Sequence, residues 1–360
     1  MSPPIWRDPR TGAYLVRSHA LVREALCDAE AFTSRAGPTP DESEGVPLRE
    51  LLKQTIPFVD TLAAADPPEH TRFRGLVSGE FAAPRVSSLV PELETRCHAL
   101  IDDFAARGRC DLRAEYAEPL VLSALADRLG VPRADLPLLQ RWATGFAAQL
   151  AGHAGDEDPL AAMRRILEFQ HYFAVRIDEA RHAPRDDLLS HLCRAELDLG
   201  ESLSIVQQVL VAGADPSASA IFSGVRSWIE DPALAAQLRD EPALLPGFVE
   251  EVLRLASPTE QIRRRATRDT GLGGVAIPAG SLVQLELRAA NRDARMFADP
   301  DRLDPRRANA AEHLAFGDGI HRCLGAALAR AMLAAAFRVL LDRITELRPR
   351  GAEIAFSVRS

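Results

Sequence analysis

The sequence predicts a mainly α-helical fold with a small β region, carried by a single domain over residues 1–360. Three observations lead there. Long stretches repeat apolar residues at the spacing of one helix face. One stretch, 261–288, breaks into short apolar pieces separated by Gly271, Gly273, Gly274, Pro278 and Gly280, the texture of small strands and tight turns. Elsewhere proline and glycine are scattered, and no internal repeat or low-complexity linker marks a domain boundary.

In chain order, Ala13–Val16 reads as extended and His19–Ala31 as helical. Residues 36–65, with Gly37, Pro38, Pro40, Gly45, Pro47 and Pro57, read as a long irregular loop with an apolar tip at Ile56, Phe58 and Val59. A loop of that length in a compact domain is usually functional. Asp66 is the expected cap of a helix with prolines in its first turn. Helical patterns follow over 86–107, 113–129, 133–153, 159–182 and 186–196, broken at 152–158, and a long one runs from Ser202 to Asp231. The stretch 261–288 supplies short strands such as Val275-Ala276-Ile277 and Leu282-Val283-Gln284-Leu285, and Ala352–Val358 closes the chain as strand.

Composition bounds the function. A chain with 47% hydrophobic and 26% charged residues is globular. No apolar run reaches eighteen residues, so no spanning helix is expected. The start Met-Ser-Pro-Pro-Ile-Trp-Arg-Asp lacks the basic and apolar regions of a signal peptide, so a cytoplasmic location is expected. The five cysteines, at 27, 97, 110, 193 and 323, form no C-x-x-C pair and are odd in number. That argues against a disulfide framework or a zinc site. A net charge of −8 argues against general nucleic-acid binding.

The chemistry concentrates in Phe316-Gly317-Asp318-Gly319-Ile320-His321-Arg322-Cys323-Leu324-Gly325, which runs straight into the helical pattern Leu328, Met332, Ala335, Val339 and Leu340. Aligned dipoles and N–H groups at a helix start stabilise a thiolate, the form that binds a soft or borderline metal. A lone cysteine is more often a core residue. The surroundings reverse that reading, because they spell F-x-x-G-x-H-x-C-x-G with every defined position filled.

This string resembles the haem-ligand loop of the cytochrome P450 family. The resemblance implies a haem-thiolate oxidoreductase whose haem b lies between the proximal cysteine-loop helix and the long distal helix. Cys323 would be the iron ligand, with Phe316 covering the sulfur and Gly319 and Gly325 permitting close approach. The order of the remaining chain agrees. Glu251-Val252-Leu253-Arg254 matches the family's E-x-x-R, whose implied role is to pin the meander recognisable from Asn291 to Pro305. By themselves, Glu and Arg three apart on a helix are usually a solvated pair. His70 and Arg74, four apart on one helix face, match propionate-binding residues. Arg264 matches another, although Arg263 and Arg265 leave its register open by one, and His321 is the fourth candidate.

The distal helix is read at Val209–Ser219. Ala212 and Gly213 would let it approach iron-bound oxygen, and Asp215 fills the family's acid position. The family's threonine position is Pro216, which has no hydroxyl and no N–H and costs about 3 kcal/mol in a helix interior. A kinked helix is expected there, with Ser217 as a displaced hydroxyl. Either Pro216 only shapes the helix, or the missing alcohol changes the outcome of the reaction.

Implied substrate contacts are Phe58, Val59, Val211, Ile262 and Phe356, with Glu260 and Gln261 hinting at a polar ligand. No reductase or flavin motif is present, so a separate ferredoxin and ferredoxin reductase are the expected electron donors. Arg72, Arg322 and Arg330 are candidates for their docking face, and a monomer is expected. The expected activity is oxidation of a small natural-product-type molecule with dioxygen, by hydroxylation or by C–C or C–N coupling. The alternatives are a peroxide-driven peroxygenase and a non-catalytic haem-binding or recruitment protein.

Overall fold

The computed structural model describes residues 4–35, 53–150, 158–351 and 353–358. The first three residues, the loop positions Gly37, Pro38, Pro40, Gly45 and Pro47, most of the break at 152–158, and Ala352 lie outside the described residues.

The strands are β1 (Ile5–Arg7), β2 (Tyr14–Val16), β3 (Phe32–Thr33), β4 (Arg109–Cys110), β5 (Ile262–Ala266), β6 (Thr270–Leu272), β7 (Val275–Ile277), β8 (Leu282–Leu285), β9 (Ile344–Arg350) and β10 (Glu353–Val358). The helices begin with α1 (His19–Cys27), α2 (Glu69–Val77), α3 (Ala83–Ser87), α4 (Val90–Ala105), α5 (Glu118–Leu129) and α6 (Leu136–Leu150). They continue with α7 (Pro159–His182), α8 (Leu188–Cys193), α9 (Leu199–Glu230), α10 (Pro232–Asp240), α11 (Leu245–Ala256), α12 (Leu287–Ala290) and α13 (Ala326–Arg343). The fold is mainly α with small sheets, as the periodicity predicts.

Two helix starts differ from expectation. Helix α2 begins at Glu69 with Pro68 in the N-cap position, and the backbone carbonyl of Asp66 accepts from the His70 N–H at 3.0 Å. The pattern at 113–129 divides into a π-helical turn, Arg113–Ala117, followed by α5. Pro119 is the cause: it has no N–H to offer the carbonyl four residues back, so the chain widens before it.

The chain forms two compact units, one of Met1–Ala36, Phe81–Leu120 and Pro216–Ser360, the other of Gly37–Glu80 and Val121–Asp215. All the strands belong to the first. Its main sheet has the order β1-β2-β8-β5-β3, with β2 and β8 parallel and the other neighbours antiparallel. Strand alternation turns Val16, Val283, Leu285 and Ala266 into a core shared with Val22, Ala25 and Leu26 of α1. A second core of this unit is aromatic. Trp228 stacks on Phe248 at 5.5 Å, and both meet Phe337 of α13 edge-on. Gly224 permits this, since a Cβ there would lie 2.3 Å from the Phe337 ring.

The second unit is helical. Trp142 and Phe146 of α6 pack against Phe169 of α7, with ring centroids 5.6 and 5.2 Å away, and Phe169 meets Phe173 at 4.8 Å. Each such pair contributes about 0.5–1.5 kcal/mol beyond buried area. Asp158 caps α7 through the Leu160 N–H, and Asp187 caps α8 through the Ser190 N–H.

Candidate functional site

The cysteine loop lies in the strand-bearing unit. It is shaped by two left-handed glycines, Gly317 at φ +64 and Gly319 at φ +67. Gly319 has a second reason to lack a side chain. A Cβ there would sit 2.3 Å from the Leu26 carbonyl oxygen at the end of α1. The Cys323 N–H donates to the Phe316 carbonyl at 2.8 Å, which closes the loop. Gly325 is the N-cap of α13, whose eighteen residues follow directly, and Cys323 is exposed.

The other four cysteines show the effect of burial. Burial pushes the Cys97 thiol up to about 11 and the Cys110 thiol up to about 12, and it also raises those of Cys27 and Cys193. None of the five is in a disulfide.

Phe316 is held on two sides. The Arg330 guanidinium lies 4.6 Å from its ring centroid, and the His313 ring is 5.6 Å away. Both partners are themselves held by Glu250 of α11. Arg330 donates through Nε and Nη2 at 2.6 and 2.8 Å, and His313 Nε2 lies 3.2 Å from the carboxylate. Burial alone would raise the Glu250 pKa, but these hydrogen bonds overcome it and bring the value down to about 2. Arg330, expected on a docking face, is half-buried and paired with Glu250. Arg72, in the other unit, pairs with Glu201 at 2.7 Å. Arg322 is exposed.

Beside Glu250, Glu251 faces a different way. Arg254 Nε and Nη2 donate to its two oxygens at 2.5 and 2.9 Å, with both side chains fully buried. Arg254 also donates to the carbonyls of Asn291, Pro300 and Arg302. Two further donors to Glu251 were not foreseen, the Asp304 N–H and Arg307 Nε, each at 3.0 Å. Burial would raise the Glu251 pKa, but these donors lower it. E-x-x-R here is a buried clamp on the meander rather than a solvated pair.

Of the three consecutive arginines, Arg264 is the one turned inward. On β5 it is 6% exposed while Arg263 and Arg265 point outward, and its Nη1 donates to the Arg263 carbonyl at 2.9 Å. Ile262 shares its face, and Ile262 Cδ1 lies 3.8 Å from where a Gly317 Cβ would be. His321 ends the 3₁₀ turn Gly319–His321. Two more residues named for the substrate side lie in this unit. Phe356 is buried against Phe104 at 5.5 Å, because strand alternation turns it inward with Ile354. Glu260 is exposed and pairs with Arg288 at 2.7 Å.

In the helical unit, His70 is buried and Arg74 follows one turn later on α2. Burial, and then the Arg74 charge, lower the His70 pKa. Phe58 turns its ring toward Phe146 and Phe169, each 6.3 Å away, while Val59 is exposed. The segment that carries them is strapped down by residues missed in the sequence. Gln170 accepts from the Ile56 N–H at 2.9 Å, Ser204 from Val59 at 2.9 Å, and Gln208 from Ala63 at 2.8 Å. Ser204 and Gln208 are one helical turn apart, and a serine and a glutamine at that spacing are the only signal available beforehand.

Helix α9 runs without a break through Pro216. Ala212 and Asp215 are exposed, Val211 and Pro216 are half-buried, and Ser217 is buried. Ser217 follows Pro216 directly, about 100° further round the helix, and lies about 200° from Asp215. Ser219, one turn after Asp215, does share the face, and its Oγ accepts from Arg113 Nη1 at 3.3 Å. Gly213 is committed to packing, since its Cβ would lie 2.7 Å from Leu125 Cδ2 of α5.

Comparison with known proteins decides the family. The model of the family described as Cytochrome P450 matches residues 162–348. Cytochrome P450 140 of Mycobacterium tuberculosis is 38% identical over 94% of this chain and 80% of its own. The chain belongs to the cytochrome P450 family. Cyclomarin C epoxidase CymV of Salinispora arenicola is another relative, 36% identical over 82% of this chain and 76% of its own. The solved structure of cytochrome P450 CREJ in complex with (4-ethylphenyl) dihydrogen phosphate superposes with a TM-score of 0.90 at 26% identity, covering 99% of this chain and 93% of that one. The fold is the cytochrome P450 fold, and the protein is a P450 enzyme of the monooxygenase and oxidase kind.

The family implies a haem-thiolate cofactor, and the residues fit one. The exposed cysteine sits at a helix start, where a thiolate is stabilised. A Cβ at Gly325 would meet no atom of the described residues within 4 Å, so packing within the chain does not require glycine there. No helix among the described residues is long and apolar enough to cross a membrane.

Proposed function

We propose that this P450 oxidises a small natural-product-type molecule with dioxygen, using haem b ligated by Cys323. The observation that carries the reading is the loop itself. An exposed cysteine at a helix start has its amide held by the Phe316 carbonyl, on a turn made by the left-handed Gly317 and Gly319. Bound haem-thiolate supplies dioxygen activation and removal of hydrogen from substrate.

The chain's own residues do the rest. Cys323 holds the iron, and Phe316 shields the sulfur from water. His70, Arg74, Arg264 and His321 neutralise the propionates, and Gly319 and Gly325 admit the macrocycle. Glu251 and Arg254 hold the meander in place. Val211, Ala212, Ile262 and Val59 shape the substrate site, and Phe58 anchors the segment that carries Val59. Electrons come from a separate ferredoxin and its reductase, in the cytoplasm, to a monomer whose residues 1–360 act as one oxygenase domain.

Pro216 distinguishes this chain. With no alcohol there and Ser217 buried, exposed Asp215 and half-buried Ser219, one turn apart on α9, are groups that can pass a proton. This arrangement supports two products, a hydroxylated molecule and one coupled through a C–C or C–N bond. The epoxidase relative favours oxygen insertion.

The deciding experiment is the reduced–CO difference spectrum of the wild type and of Cys323→Ala. The wild type is expected to show the long-wavelength Soret band of a thiolate ligand, and the variant to lose it. A band that persists in Cys323→Ala sinks the assignment. Pro216→Thr is expected to change the ratio of product formed to oxygen consumed. An unchanged ratio leaves Pro216 with a role in helix shape only.

A further inference from the structure

Glu250 stands next to the E-x-x-R glutamate, yet the meander clamp does not use it. We propose that Glu250 is a positioning residue for the cysteine loop, acting through Arg330 and His313 on Phe316, whose carbonyl holds the Cys323 amide.

Each link is a contact. The carboxylate takes two parallel hydrogen bonds from Arg330, at 2.6 and 2.8 Å, which fixes the plane of the guanidinium. The guanidinium carbon lies 4.6 Å from the Phe316 centroid, within cation–π distance. On the other side, His313 Nδ1 accepts from the Ala315 N–H at 3.1 Å. Its proton must then be on Nε2, which faces the same carboxylate at 3.2 Å. One glutamate thus sets both groups that flank the ring. The ring belongs to the residue whose carbonyl accepts from Cys323 at 2.8 Å.

The spacing along α11 explains why neighbouring glutamates do different work. Consecutive helix positions point about 100° apart. Glu251 is fully buried against Arg254 and Arg307, while Glu250 reaches α13 and the loop. The meander clamp and the loop clamp are therefore separate charge clusters on one helix. Without the carboxylate, Arg330 loses its two-pronged anchor and His313 the charge that its Nε2 faces, and the ring is free to turn. The loop keeps its backbone turn but loses the fixed face that holds it. The effect on the loop follows from these contacts alone. The effect on iron ligation rests on the reading of Cys323 as the haem ligand.

The test is amide hydrogen exchange on the haem-loaded protein, comparing wild type with Glu250→Gln, Arg330→Lys and Phe316→Leu. In Glu250→Gln the amides of 316–325 are expected to exchange roughly tenfold faster or more, while those of the β5–β8 pair keep their wild-type rates. Arg330→Lys retains the charge but loses the planar grip, and is expected to show a smaller acceleration of the same amides. In the Phe316→Leu background, Glu250→Gln is expected to add less than it does alone, because the shared ring is gone. The thiolate-type reduced–CO band is expected to weaken in Glu250→Gln in step with the exchange.

A Cys323 amide rate within twofold of wild type overturns the proposal. So does acceleration of all amides together, which assigns Glu250 to global stability, and so does full additivity with Phe316→Leu. Should Glu250→Gln fail to fold, Arg330→Lys decides by the same measure. Loop exchange that accelerates as expected, with a thiolate band that survives Cys323→Ala, keeps the clamp and sinks the ligand reading.

Discussion

Replacing Gly319 and Gly325 by alanine, one at a time, separates what the polypeptide requires from what a cofactor requires. At Gly319, alanine must adopt φ +67, which costs an L-residue about 1–2 kcal/mol. Its methyl group also lands 2.3 Å from the Leu26 oxygen and 3.0 Å from the Leu26 carbonyl carbon. These are backbone atoms at the end of α1 and cannot rotate away. Overpacking of that kind adds about 1–3 kcal/mol. Gly319→Ala should therefore lose about 2–5 kcal/mol, a large part of the stability of an ordinary protein. Gly325 sits at φ −84, and its Cβ meets nothing within 4 Å. Gly325→Ala should cost about 1 kcal/mol or less, the difference between glycine and alanine as an N-cap. Urea unfolding followed by circular dichroism measures both. Haem content per chain after purification supplies the second axis. The expected pattern is that Gly319→Ala loses stability and haem together, while Gly325→Ala loses haem with its unfolding free energy nearly intact. A Gly319→Ala variant within about 1 kcal/mol of wild type refutes the claim that the Leu26 carbonyl dictates this residue. A Gly325→Ala variant with full haem content refutes the claim that the cofactor lies against it.

Three further outcomes are expected. Glu251→Gln leaves Arg254 and Arg307 buried without their full countercharge and should cost about 3–5 kcal/mol, read by urea unfolding; Arg254→Lys should do no better, because an ammonium cannot reach three carbonyls and a carboxylate at once. Gly213→Ala should cost about 1–2 kcal/mol and be relieved in a Leu125→Ala background, since its methyl group meets the flexible end of that side chain; equal costs in both backgrounds would place the strain elsewhere. The third concerns acid. Glu250 has its pKa lowered from the ordinary 4.5 to about 2, so its contribution is present above pH 4.5 and is lost as pH falls toward 2. That shift corresponds to about 3 kcal/mol. Glu250→Gln should remove part of the acid slope of stability in this window, and an identical slope would contradict it.

Much of the fold was legible because the signals were local. The helices at 159–182 and along α9 follow from apolar periodicity, and the short strands between 262 and 285 from glycine and proline punctuation. What escaped depended on partners far along the chain. Strand β9 contains Arg348, Pro349 and Arg350 and shows no clean alternation, and pairing with β10 makes it a strand. The π-turn before α5 was signalled by Pro119, but a helical pattern spanning it hid the break. The strap of Gln170, Ser204 and Gln208 was invisible, because those side chains bond to backbone groups 114 to 145 residues away.

For the site, the division runs between chemistry and orientation. The string from Phe316 to Gly325 was sufficient by itself to indicate the family, because an exposed cysteine on a glycine-shaped turn at a helix start is encoded in ten consecutive residues. Which arginine of Arg263, Arg264 and Arg265 turns inward was decided by the pairing of β5 with β8. Tertiary packing likewise turned Ser217 and Phe356 into the core and gave Glu250, Arg307 and His313 work that no motif announces. Residue type and spacing prescribe which reactions are available. The direction in which a side chain points is set by the surfaces it must pack against, and those come from distant parts of the chain.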